Sequence, residues 1–139
     1  MPALNRPNTL GLLALLLVVA FAARLYFVWA IPYCAEDAYI TFRYAEHWAH
    51  EWGPVYNAGE RAWGFTSPLW TALLALFVKT GLPIEPAARG MLLMCDLVSV
   101  VLAWRLLERH SRLAAIAFCG FFALWPRFAH LPATGLETS

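Results

Sequence analysis

Glu36 and Asp37 stand side by side at the head of "EDAYITFRYAEHWAHEWG", directly after an apolar run. Adjacent carboxylates in that position have two uses. They can complement the positive end of a helix that starts there, or one of them can take a proton from a hydroxyl or bind a metal ion at the edge of a membrane. Further along, Tyr39, Arg43, Glu46, His47 and His50 fall on one side of a helical wheel, opposite Ala38, Phe42, Ala45, Ala49 and Trp52 with Trp48 beside them. Imidazoles three apart on a polar face are ordinarily solvated, so His47 and His50 do not by themselves make a metal site. The pattern predicts an interfacial helix with its aromatic face at headgroup depth and its acidic end near the lipid phosphates.

The rest of the chain sets where those groups can stand. Hydrophobic residues make up 61% of the 139, charged ones only 14%, a balance outside the range of soluble globular domains. The net charge of +1 offers no field for nucleic acid, and Gly-rich phosphate loops, CxxC pairs and HExxH are absent. Cys34, Cys95 and Cys119 are widely separated and read as small buried hydrophobes.

Residues 10–31 are apolar except for Arg24 and extend about 33 Å as a helix, enough to cross a bilayer. A signal peptide is the rival reading, but the run continues through Tyr26 and Trp29, which suit an interface. Leu69 to Val78 is about half the length of a span and is expected along the membrane surface, with Ser67 as its N-cap and Pro68 as its first residue. Residues 89–107 and 113–128 give a second and a third span. Between them "RLLERHSR" concentrates Arg105, Arg109 and Arg112, which assigns that hinge to the cytoplasm with the N-terminal tail.

The expected fold is therefore all-α: a multi-pass protein of the cytoplasmic membrane whose long first external loop, 32–88, carries two juxtamembrane helices near 36–52 and 67–80. Residues 129–139 return to the same external side and open a second loop. "ATGLETS" stops where a new helix would start, so the chain is expected to be the N-terminal part of a longer protein.

"EDAYITFRYAEHWAHEWGPVYNAGERAWGFTSPLW" resembles the first external loop of the GT-C glycosyltransferases, and the order and spacing of its pieces are closest to the arabinofuranosyltransferase-like and mannosyltransferase-like branch. "ATGLETS" resembles the second external loop of that family, with Glu137 as its acid. The resemblance implies transfer of a sugar, with inversion, from a polyprenyl-phosphate donor to a hydroxyl of a glycan, lipid or protein acceptor outside the membrane. It implies Asp37 as the base, with Glu36 and Glu137 as supporting acids or as ligands of a divalent metal ion. The departing phosphate calls for cations, for which Arg43 and Arg61 are the candidates, and Glu60 and Tyr39 complete the expected substrate contacts. Trp63 departs from the family, which has an acidic or polar residue there. Three spans are few for such an enzyme, so this portion alone is expected to be inactive. The alternative is a non-catalytic membrane protein whose external loop is a binding or assembly module.

Arg24 and Asp96 lie inside expected spans, each about 10 Å below the outer end. Intramembrane charges are costly unless paired, so an Arg24 to Asp96 contact is predicted to tie the two spans together.

Overall fold

A computed structural model describes residues 7–57, 59–60 and 64–136. Arg61, Trp63 and Glu137, singled out by sequence, lie outside the described residues. All regular structure within them is helical: α1 (Pro7–Ala30), α2 (Glu36–Ala49), α3 (Pro68–Lys79), α4 (Ile84–Leu107), α5 (Arg112–Leu124), α6 (Pro126–Ala129) and α7 (Leu131–Thr134).

Two of these helices, α1 and α4, are long and apolar enough to cross a membrane. Each is 24 residues, or about 36 Å. Leu15, Val18 and Leu25 on α1, and Met94, Val98 and Leu102 on α4, stay exposed, as expected of helices that meet lipid tails and not water. Helix α4 begins at Ile84, five residues before the expected start at 89, because Pro83 supplies the extended residue before it and Pro86 falls in its tolerant first turn.

The expected third span does not run unbroken to 128. Pro126 forces Trp125 into an extended conformation, and the chain turns through 61° between α5 and the short pair α6 and α7. Proline also removes the N–H that the Phe122 carbonyl would have received in a continuing helix. Arg24 supplies the replacement. Its Nη2 donates to the Phe122 carbonyl at 3.3 Å and its Nη1 to the Ala123 carbonyl at 3.2 Å, with the guanidinium 5.3 Å from the Phe122 ring centre.

Arg24 is completely buried, and its Nε pairs with the Asp96 carboxylate, as predicted from their depths. Nη1 is shared with the Ala20 carbonyl at 3.2 Å. One guanidinium thus joins α1, α4 and the broken end of α5. Below it, Leu13, Val100, Trp104, Ala115 and Cys119 form the core where the three helices meet.

A second core takes up part of the face expected at headgroup depth. Ala38, Phe42, Ala45 and Ala49 of α2 pack against Trp70, Leu74 and Ala75 of α3 and Ala88 of α4, while Trp48 is half-buried and Trp52 stays exposed. Three alanines on that face let the helices approach closely, which a lipid-facing stripe would not require. It is α3 that keeps an open apolar stripe, with Leu69, Leu73 and Leu76 exposed at helical spacing. Two smaller expectations also change. Ser67 precedes α3, but its side chain makes no capping bond; its carbonyl instead receives the Thr71 N–H and hydroxyl. Cys34 and Cys119 are buried, whereas Cys95 is exposed, because it lies on the outward side of α4.

Candidate functional site

Glu36 and Asp37 occupy the first turn of α2, after Ala35 as the residue preceding the helix. Neither has a hydrogen-bond or ion-pair partner among the described residues, and both are exposed. As neighbours on a helix they point about 100° apart. Consequently they border different clefts.

Asp37 borders a cleft of about 380 Å³ with Thr41, Gly64, Phe65, Thr66 and Leu136. The cleft draws on three separated stretches of sequence. The Ala35 N–H donates to the Thr134 carbonyl at 2.8 Å, which fastens the start of α2 to the end of α7. Behind this link, Gly135 turns with φ +76°, and a Cβ there would lie 2.9 Å from Cys34 Sγ and 3.1 Å from Phe42 Cζ. Gly64 is similarly enclosed: the Tyr44 hydroxyl would stand 2.8 Å from a Cβ, while the Tyr44 and Phe65 rings meet edge to face at 4.9 Å. Gly135→Ala is therefore expected to destabilise the fold by about 1–3 kcal/mol, through a left-handed backbone and a clash, measured as a fall in unfolding midpoint in detergent micelles. An unchanged midpoint would mean that the link between the two loops does not depend on this turn.

Glu36 borders the other cleft, about 480 Å³, with Tyr39, Arg43, Glu46, Tyr56 and Glu85. The Tyr39 hydroxyl donates to the Glu85 carboxylate, and that hydrogen bond pushes the phenol above its usual range. Arg43 is committed to the loop after α2: Nε donates to the Tyr56 carbonyl at 2.8 Å, Nη2 to Asn57 Oδ1 at 3.3 Å, and the guanidinium lies 4.8 Å from the Tyr56 ring centre. His47, one turn on, donates from Nδ1 to the Val55 carbonyl at 2.8 Å. Glu60 closes the same loop, accepting from Asn57 Nδ2 at 2.9 Å. Arg43 and His47 thus strap residues 55–57 onto α2, and Glu60 is held to Asn57 within the same loop. No group of three or more acidic, histidine or cysteine side chains close enough to hold a metal ion occurs among the described residues.

The sequence reading missed Arg127 and His130. They line a groove of about 630 Å³ with Phe27, Ile31 and Leu136, between the C-terminal end of α1 and the bent segment after α5. His130 donates from Nδ1 to the Arg127 carbonyl at 2.7 Å, which leaves Nε2 for a ligand. Leu136 forms a wall of both this groove and the Asp37 cleft. The signal was available in "PRFAH", where a helix-breaking proline is followed by an arginine and a histidine three apart.

Compared with protein-family models, characterised proteins and solved structures, the chain matches none.

Proposed function

We propose that the chain is the N-terminal part of a multi-pass membrane glycosyltransferase of the GT-C type, which transfers a sugar from a polyprenyl-phosphate donor to an acceptor hydroxyl on the outer side of the cytoplasmic membrane. The observation that carries the reading is convergence on one acidic cleft. Asp37, the Gly-Phe-Thr stretch 64–66 and Leu136, which precedes Glu137 in the chain, come from three distant stretches and border the same space. An assembly surface has no need of an unpaired carboxylate at such a junction.

In this reading Asp37 accepts the proton of the acceptor hydroxyl as its oxygen attacks the anomeric carbon. The bond from that carbon to the phosphate oxygen breaks, and polyprenyl phosphate leaves from the opposite face, inverting the centre. Arg127 holds the departing phosphate, joined by His130 Nε2 where the imidazole carries both protons, and the apolar walls at Phe27 and Ile31 receive the first part of the prenyl chain. Arg43, in contrast, keeps the loop in place. Glu137 remains a supporting acid of the proposal and Arg61 a further cation, whereas Glu36, which borders the other cleft, is set aside.

The test is transfer from radiolabelled polyprenyl-phosphate sugars by membranes carrying the whole gene product. Arg127→Gln with His130→Ala is expected to raise KM for the lipid donor about a hundredfold or more, since each of the two removed hydrogen bonds to a charged phosphate is worth about 1.5–3 kcal/mol. An unaltered donor KM would remove the groove from the proposal, and no transfer from any donor of this class would remove the activity itself.

A further inference from the structure

The opposite end of the helical bundle carries a second polar cleft that sugar transfer does not use. It measures about 500 Å³ and lies between the start of α1 and the end of α4, with Leu10 and Leu13 on one side and Trp104, Arg105, Glu108 and Arg109 on the other. Arg105 follows Ile84 by 21 residues, so the cleft is about 32 Å along α4 from the acidic end.

Its chemistry is built and not merely exposed. Trp104 is 1% exposed, and its indole Nε1 donates to Glu108 Oε2 at 2.7 Å, which fixes that carboxylate in the cleft wall. Arg105 and Arg109, one turn apart, are exposed, and neither has a hydrogen bond or ion pair among the described residues, even with Glu108 so near in sequence. Two unpaired guanidiniums and one held carboxylate leave a net charge of +1. Membrane sidedness would be served by arginines on any surface. It does not require that they border a cleft whose other wall carries Leu10 and Leu13 beside Thr9; Leu102 and Leu106 are exposed on α4.

We propose that this cleft binds the headgroup of a monoanionic phospholipid of the phosphatidylglycerol class. The phosphodiester lies on the Arg105 and Arg109 guanidiniums, a glycerol hydroxyl donates to Glu108, and an acyl chain follows the leucines of α1 and α4. The charge match is one to one, and a basic pocket between membrane helices is the arrangement that recognises anionic headgroups. A zwitterionic choline headgroup offers the same phosphate but no hydroxyl for Glu108, and adds a cation beside two arginines.

The experiment uses the full chain purified in a non-ionic detergent, with lipid binding followed by native mass spectrometry and by the shift in unfolding midpoint. Phosphatidylglycerol is expected to be retained and to stabilise the protein, with phosphatidylcholine far weaker. Arg105→Gln with Arg109→Gln is expected to weaken phosphatidylglycerol about thirtyfold, at about 1 kcal/mol per arginine near an anionic headgroup. Arg105→Lys with Arg109→Lys keeps the charge and serves as the folding control. Equal retention of the two lipids by the unaltered protein, or an unchanged affinity in the glutamine variant, would overturn the assignment. Displacement of the lipid by inorganic phosphate at millimolar concentration would overturn the lipid part of it and leave a site for free phosphate.

Discussion

Asp37→Asn is expected to lower sugar transfer by about a hundred- to ten-thousand-fold while leaving the amount of inserted protein unchanged. The two halves of that expectation rest on different observations. Loss of activity follows if Asp37 is the proton acceptor, because an amide of the same shape cannot take the proton. Retention of the fold follows from its surroundings: the side chain is exposed, has no hydrogen-bond partner among the described residues and does not cap α2. The most it contributes to the helix is its charge at the N-terminal end, worth about 0.3–1 kcal/mol at an exposed site. Glu36→Gln is the matched control, since it removes the same charge from the same turn but borders the cleft of Tyr39 and Arg43. Its transfer rate is expected to stay within about tenfold of the unaltered protein. Radiolabelled transfer by membranes of each variant, normalised to protein inserted, separates the outcomes. If both variants transfer at the unaltered rate, the acidic pair serves only the helix dipole, and the external loop is better read as an assembly module.

Comparison of particular elements explains what the sequence could and could not convey. Helix positions were legible because apolar runs and proline positions are local: α2 and α3 fall within the helices expected near 36–52 and 67–80, and α1 ends at Ala30, one residue before the expected end at 31. The Arg24 to Asp96 contact was legible because burying an isolated charge is so costly that matching depth nearly determines the partner. The partner of the α2 apolar face was not, since a hydrophobic stripe is equally suited to lipid and to another helix. The alanines at 38, 45 and 49 were the available clue, being too small to anchor in headgroups but well suited to close packing. Arg43 is a related case. A cation on a polar face reads as a ligand site until the loop that occupies it is seen, and Tyr56 and Asn57 supply acceptors that no periodicity announces. The separation of Glu36 from Asp37 was implicit in the 100° turn per residue. Which cleft each would border depended on where residues 64–66 and 136 return.

Replacing Arg24 by methionine is expected to destabilise the helical bundle by about 3–5 kcal/mol, because Asp96 would then carry an uncompensated charge inside an apolar assembly. The informative comparison is the double variant Arg24→Met with Asp96→Leu. Were Arg24 only half of an ion pair, an apolar pair of similar volume would restore stability, as replacements of buried ion pairs often do. But Arg24 also donates to the Phe122 and Ala123 carbonyls, left open where Pro126 ends α5. Leucine and methionine cannot serve those acceptors, and a buried acceptor without a donor costs about 1–3 kcal/mol. The double variant is therefore expected to recover part of the loss and to remain below the unaltered protein by about that amount. A third change, Pro126→Ala, returns an N–H to the Phe122 carbonyl and should regain stability in the double variant more than in the unaltered background. Unfolding midpoints of the five proteins, Pro126→Ala alone included, in one detergent provide the comparison. Full recovery in the double variant would show that the arginine's bond to the broken helix end contributes nothing, and that the 61° turn is held by packing alone.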